Sequence, residues 1–396
     1  MKICIVSHKI TKGDGQGRVN YEVANEIIRR GHHLTLLASD ISQDLEENSG
    51  VDWFPILVDQ YPTELIRNVI FSAESRKWLY QHQNDIDIVK LNGAITSTAS
   101  DMNAVHFVHS SWLNSLVYLN QNRKHIYNLY QWMYAKLNSV WEKRAFKRTT
   151  VIVAVSHKLA HELESIDIPS SKIQVITNGV DLEEFYPAQV SREDLLLPQD
   201  VTLALYVGDI RTHRKNLDTV IKALVDVPGL HLAVAGCTSG SPFPKLAKSL
   251  GIDSRIHFLG YRNDIANLMQ AADLFVFPSR YEPFGLVILE AMAAGLPVVT
   301  AATVGASELV TEDCGVVLPD PNDISGLADA ISQLVNHPLK MKYMGKAARK
   351  VAEEHSWVTM AEQYVDILEN LESYEELSSN CNLSSSAGLA PMPSSS

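Results

Sequence analysis

The sequence predicts an α/β chain folded as two doubly wound units, each a parallel sheet with helices on both faces. Three observations carry this. Short apolar runs alternate with helix-like stretches from the first residues onward; the alternation breaks in Pro-containing polar sequence around Tyr186 to Asp200; and a second series starts afresh at Leu203. A length of 396 residues fits two domains of ordinary size.

The first unit opens with a strand at Ile3 to Val6, a helix at Val19 to Arg30 and a strand at Leu34 to Leu37, with Gly31 where a helix C-terminus favours glycine. Val23, Ala24, Ile27 and Ile28 fall on one helical face and polar residues on the other. Further strands are predicted at Ile86 to Leu91, Ala104 to Val108, Val151 to Val155 and Ile173 to Ile176. The second unit is predicted to use Leu203 to Val207, Leu230 to Ala235, Ile256 to Leu259, Leu274 to Phe277, Pro297 to Thr300 and Val316 to Leu318. This gives domains at 1–190 and 191–356. An amphipathic helix follows at 357–376, with Ala361, Tyr364, Leu368 and Leu371 on one face, and then a Ser-rich tail, 377–396, too poor in large apolar residues to offset its ordering entropy.

Composition narrows the function classes. With 46% hydrophobic and 20% charged residues and no apolar run of bilayer length, no spanning segment is expected. The opening run Met1 to Val6 meets polar residues at once and lacks a secretory core. Four scattered cysteines suit a reducing compartment, so a cytoplasmic location is expected. A formal net charge of −12 argues against a nucleic-acid partner, which calls for a positive field.

In doubly wound sheets ligands sit beyond the carboxyl ends of the strands, so the loops there are where chemistry is sought. Tyr281 to Val299 follows the strand at Leu274 to Phe277; Pro283 and Gly285 shape a turn, and the N–H groups of Gly285 and Leu286 open a helix, an anion site. Glu282 before that helix and Glu290 within it can accept from hydroxyls. Tyr206 to Asp218 is again strand, loop and helix start; after Gly208 it clusters Arg211, Arg214 and Lys215. The loop Gly13 to Arg18 offers Gly15, Gln16 and Gly17 at the first helix start. It invites a dinucleotide reading with Asp40, but Arg18 replaces the third glycine of that fingerprint. His106 to Trp112 is read as a strand end, with His109 nearer the carboxyl end.

The Tyr281 to Val299 stretch resembles the Glu-x7-Glu signature of retaining GT-B glycosyltransferases, the family 4 type, or glycosyl transferases group 1. The resemblance extends to about Trp357 and to the final helix at 357–376, and implies the GT-B fold, two Rossmann-like domains facing across a cleft, with that helix crossing back to the first domain. It implies a hexosyltransferase whose donor is a UDP- or GDP-sugar, with no cofactor. By resemblance Glu282 holds donor-sugar hydroxyls, Glu290 the ribose, and the backbone of Phe284, Gly285 and Leu286 the sugar and phosphate. The loop after Gly208 resembles the family's Gly-Arg-Leu loop ending in lysine, which neutralises the leaving diphosphate. Asp209 stands where that arginine is expected, so Arg211 and Lys215 are the candidates, with Arg214 the competitor. Gly15, Gln16 and Gly17 resemble the glycine loop that approaches the donor phosphate or the acceptor, and His109 the cleft histidine. Gly179 in Asn178 to Asp181 matches a structural turn, and Val304 to Glu308 a loop near the nucleotide.

Asp85-Ile86-Asp87 has the spacing of a metal-binding pair but begins a strand, so no essential metal is expected, with arginine and lysine neutralising charge. Arg123 to Arg148 mixes cations with Tyr127, Tyr130, Trp132, Tyr134 and Trp141, which suits an anionic membrane surface where a lipid or lipid-linked acceptor docks; inward-packed aromatics under solvated charges are the other reading. For the enzyme as a whole the expected acceptor is a sugar, a glycan or a lipid-linked molecule. A sugar-nucleotide epimerase of the same shape, or a non-catalytic nucleotide-sugar binder, is compatible with the same motifs.

Overall fold

A computed structural model describes residues 1–13, 15–119 and 126–371. Asp14, Arg123, Lys124 and the 377–396 tail lie outside the described residues. The first sheet contains β1 (Lys2–Val6), β2 (His33–Ala38), β3 (Val51–Pro55), β4 (Ile88–Asn92), β5 (Ser100–Val105), β6 (Thr149–Ala154) and β7 (Ile173–Val175). They lie in the order β3-β2-β1-β4-β5-β6-β7, all parallel. The second contains β8 (Thr202–Val207), β9 (Leu230–Ala235), β10 (Ile256–Gly260), β11 (Leu274–Phe277), β12 (Val298–Ala301) and β13 (Gly315–Leu318), in the order β10-β9-β8-β11-β12-β13. In both sheets the strand order reverses once, β1 beside β4 and β8 beside β11, and such switch points open crevices at the carboxyl ends.

The helices that matter to the cleft are α1 (Gly15–Arg29), α2 (Glu64–Gln81), α3 (His109–Asn114), α4 (Ile126–Lys147), α5 (His157–Glu164), α6 (Leu217–Ala223), α7 (Leu286–Ala293) and α8 (Trp357–Glu369). Helix α1 buries Val19, Val23, Ala24 and Ile27 against the first sheet and against Met360, Tyr364 and Leu368 of α8. Helix α8 thus covers the first domain although its sequence follows the second. The crossing is fastened where Val180 N–H donates to the His355 carbonyl at 2.9 Å. A Cβ on Gly179 would stand 2.5 Å from the Trp357 backbone, which is why glycine occupies that turn.

Strand β3 was not expected, and β4 and β5 start away from their expected positions. β5 runs over Ser100–Val105, not Ala104 to Val108, because polar residues make its pairing: Asn103 exchanges bonds with Gly93 (2.7 and 3.0 Å), and Ser100 Oγ meets Thr149 Oγ1 at 2.9 Å. Consequently His109 opens α3 instead of ending a strand. Asp87 lies just before β4, where its Oδ2 accepts from Lys2 N–H at 2.8 Å and anchors the strand start.

Candidate active site in the interdomain cleft

Four loops at carboxyl ends of strands converge between the sheets. After β11 the chain turns through Glu282 to Gly285, and Gly285 adopts φ +97°, a left-handed conformation suited to glycine, before α7 begins at Leu286. That turn is braced from behind: Glu282 N–H donates to the Thr303 carbonyl (3.2 Å), Gly305 N–H to the Glu282 carbonyl (3.0 Å) and Ala306 N–H to the Phe284 carbonyl (2.8 Å). The Val304 to Glu308 segment is therefore a scaffold for the turn. A Cβ on Gly305 would stand 1.9 Å from the Pro283 oxygen. The first domain holds the same turn, through Ser156 Oγ donating to the Pro283 carbonyl at 2.8 Å and Tyr281 Oη donating to Glu162 Oε2 at 3.0 Å.

The central feature is an ion pair between Lys215 Nζ and Glu282 Oε2, both side chains largely buried. Burial draws the Lys215 ammonium below its ordinary range, and Glu282 opposes that shift. Lys215 is delivered by a rigid corner. Asn216 at φ +65° is fully buried and its amide donates to the Pro278 and Pro321 carbonyls at 2.8 and 2.5 Å, while Tyr206 Oη donates to the Lys215 carbonyl at 2.8 Å. Asn216 went unread in the sequence, where it passes for the helix cap of an ordinary loop.

The competing cations separate clearly. Arg211 is not brought to the pair: it is more than half exposed and folds back on Asp209, with Nε and Nη2 at 2.9 and 3.3 Å from its oxygens. Asp209, the residue that departs from the family pattern, captures it. Arg214 instead stands with Nη1 4.0 Å from Glu282 Oε2. Gly208 packs against Phe277, whose ring also lies 5.3 Å from Lys215 Nζ.

Across the cleft, the start of α1 meets the start of α7. A Cβ on Gly15 would lie 3.4 Å from Leu286 Cδ1, so two helix N-termini approach one another. Gly15, Arg18, Leu286 and Glu290 line a hollow of about 260 Å³. Burial, with Glu184 nearby, pushes the Glu290 carboxyl up to about 7. Gly17 is buried within α1, and exposed Gln16 lines a separate hollow of about 180 Å³ beside His109. Arg18, the residue that breaks the glycine fingerprint, bridges Glu22 (2.6 Å) and Asp181 (3.2 Å) and lies 5.5 Å from the Trp357 ring, at the interdomain crossing.

His109 is set by Glu142 of α4, a residue the sequence reading passed over. Buried Glu142 accepts from His109 N–H (2.9 Å), Ser110 N–H (3.0 Å) and Ser110 Oγ (3.2 Å), and lies 3.0 Å from His109 Nδ1. It satisfies open N–H groups at the start of α3 and fixes the imidazole through Nδ1. His106, three residues earlier, is half-buried, and its pKa is lowered to about 3 by desolvation of the ring and by Lys90. Among the described residues no group of three or more His, Cys, Asp or Glu side chains could hold a metal ion.

Comparison with known proteins agrees with this architecture. Residues 13–184 match the family model described as Glycosyltransferase Family 4, and residues 188–351 the one described as Glycosyl transferases group 1. The chain is 33% identical over 232 residues to D-inositol 3-phosphate glycosyltransferase of Mycolicibacterium smegmatis, covering 56% of this chain and 53% of that protein. The match thus spans about half the length of that relative. Lipopolysaccharide glucosyltransferase WaaG of Escherichia coli is 25% identical over 386 residues, covering 93% of this chain and 98% of WaaG. The structure of Anabaena Alr3699/HepE in complex with UDP and glucose superposes with TM-score 0.69 at 20% identity, over 93% of this chain and 99% of that one. With family models accounting for both halves, a paired parallel-sheet fold and full-length similarity to WaaG, the chain belongs to the GT-B glycosyltransferases.

Proposed function

We propose that this protein is a retaining hexosyltransferase that moves a sugar from a nucleoside-diphosphate donor to an acceptor hydroxyl. The observation that carries the reading is the buried Lys215–Glu282 pair beside the start of α7, with Arg214 next to it and α1 opposite. Glu282 accepts from donor-sugar hydroxyls and Glu290 from the ribose. The bond from the anomeric carbon to phosphate oxygen breaks, its electron pair leaving with the diphosphate, whose growing charge is met by Lys215, Arg214 and the N–H groups of Gly285 and Leu286. The acceptor oxygen bonds the same face of that carbon, and its proton passes to the departing phosphate. The reaction uses protein cations in place of a metal, and no cofactor. UDP in the Anabaena neighbour supports a nucleotide-sugar donor.

Titration with UDP and GDP, each in excess chelator, tests the reading, because a ligand of the folded state raises its melting temperature. One diphosphate is expected to bind selectively, and Lys215→Ala to weaken it about tenfold or more, as loss of a charge-assisted contact does. No response to either nucleotide, or binding that returns only with Mg²⁺ or Mn²⁺, would overturn it.

Sugar, glycan and lipid-linked acceptors suit the N-terminal side of the cleft, and we place the enzyme in the cytoplasm at the membrane face. The support is on α4. Tyr130 and Tyr134 turn inward, with their hydroxyls bonded to α2 at Leu65 N–H (3.3 Å) and Asn68 Nδ2 (3.1 Å), whereas Leu129, Met133 and Val140 are exposed in line with Lys136, Arg144 and Lys147. An outward stripe that alternates apolar and basic residues fits an anionic bilayer surface better than the aromatics do. Flotation with anionic liposomes at low salt is expected to carry the protein, and Met133→Glu with Val140→Glu to leave it behind; a wild-type protein that stays down ends the idea.

A further inference from the structure

A second space of about 1040 Å³ adjoins the Lys215–Glu282 pair. One wall is the first domain at Trp112 and Asn114; the other is built by loops following β8, β11, β12 and β13, at Arg214, Arg280, Thr303 and Asn322. Thr303 connects the space to the pair, since its carbonyl accepts from Glu282 N–H. The volume is at or above the upper end of about 300–1000 Å³ usual for a small-molecule site, so it admits several rings in a row.

Charge on the second wall sums to about zero, with the Asp320 carboxylate offsetting the one surplus cation among Arg214, Lys215 and Glu282. Arg280 places its two terminal nitrogens 2.8 and 2.9 Å from the oxygens of Asp218 and donates Nε–H to Asn322 Oδ1 at 2.7 Å. Asp320 Oδ1 accepts from Asn322 N–H at 2.9 Å. Arg214 faces Glu282 together with Lys215, and that trio's one surplus cation belongs to the donor diphosphate. The wall is therefore polar without a net field for an anion. Opposite it, the Trp112 ring is held in place before any ligand arrives, with ring centres 5.5 Å from Tyr118 and 5.2 Å from Tyr281. A fixed aromatic facing a neutral comb of amides, hydroxyls and paired ions matches the two faces of a pyranose, C–H on one side and hydroxyl edges on the other.

We propose that this space is an acceptor subsite for a neutral oligosaccharide, whose rings stack on Trp112 and whose terminal hydroxyl is led to the donor sugar held by Glu282. The proposal rests on the transferase reading and specifies the acceptor it uses.

The test is binding of the full chain to an array of neutral, sulfated and phosphorylated oligosaccharides, with affinities of the best ligands measured with and without the selected nucleotide. Neutral chains of three or more rings are expected to bind better than single sugars. Trp112→Ala is expected to weaken them about tenfold or more, the size of a lost aromatic anchor, and Trp112→Phe to retain most of the affinity. Asn114→Trp, which fills the space from the exposed end of the same wall, is expected to abolish binding while melting temperature and nucleotide affinity stay unchanged, and it decides the matter should Trp112→Ala fail to fold. Absence of any neutral ligand, preference for the charged glycans, or variants that bind like the wild type would overturn the proposal. Loss of the transferase reading would show separately, as absence of nucleotide binding.

Discussion

Lys90 shows how much a single residue can depend on what surrounds it. It sits fully buried in β4, where its Nζ donates to Asn20 Oδ1 (2.7 Å) and Asn92 Oδ1 (3.2 Å) and lies 5.3 Å from the Tyr364 ring. These partners are amide oxygens and an aromatic face, with no carboxylate, and burial lowers the pKa to about 7. The unfolded chain holds the proton up to about 10.4. Between those values the unfolded state binds more protons than the native state, so stability rises with pH through that window, at up to about 1.4 kcal/mol per unit, and is lowest below it. Urea denaturation from pH 6 to pH 10 is expected to show this rise in the wild type and not in Lys90→Met, whose advantage should be largest at the acid end. Parallel curves would mean that the lysine stays charged when buried. The sequence carried the signal, a lysine inside an apolar run destined for a central strand, since central parallel strands are covered on both faces. Which cation faces Glu282 was not legible, because Arg211, Arg214 and Lys215 differ only in where a two-residue partner such as Asp209 pulls them.

At the scale of elements, regular patterns were legible and compensated ones were not. The glycine-opened helices α1 and α7 could be placed from turn chemistry and apolar spacing. Helix α2 was missed because only Phe71, Ser75 and Leu79 are buried along its 18 residues, spaced four apart on a narrow stripe, while Ile66 and Val69 point to solvent and blur the pattern. Strand β3 is an edge whose Phe54 is exposed, so it lacks the continuous apolar run of its neighbours. The short helix α3 depends on a residue 32 positions away: Glu142 looks like part of a solvated charge run, yet it is buried and caps α3. Glu142→Ala is expected to destabilise the first domain by about 2–4 kcal/mol, through N–H groups left without partners and a vacated buried site. Glu142→Gln, which retains an acceptor, should recover part of that. Equilibrium urea unfolding measures both, and an alanine variant as stable as the wild type would show that α3 does not rely on this contact.

At the scale of the whole molecule, the two domains could be counted from the break near residue 190, and the return of α8 to the first domain was implied by the family resemblance, its apolar face saying only that it needs a surface to cover. Its register needed the structure. Arg30 lies 2.7 Å from both Asp366 and Glu369, Arg29 3.3 Å from Glu362, and His32 2.7 Å from Glu369, so charge fixes the helix over α1. Glu26, itself buried, holds both arginines from below and is kept ionised by them. These pairs are partly exposed and set alignment more than energy. The energy lies in the apolar side: Trp357, Met360, Ala361, Tyr364, Val365, Ile367 and Leu368 are all buried with the first-domain core. At about 1.5–3 kcal/mol for each large side chain, their removal equals or exceeds the about 5–15 kcal/mol by which a domain is ordinarily stable. A chain ending at His355 is therefore expected to lose the cooperative melt of the first domain while the second, whose core α8 does not enter, still unfolds as a unit. Differential scanning calorimetry would resolve the two transitions, and addition of a peptide spanning residues 356–371 should restore the missing one. A truncated chain that melts like the full-length protein would place the stability of the first domain in its own sheet, and leave α8 only the task of joining the two halves of the cleft.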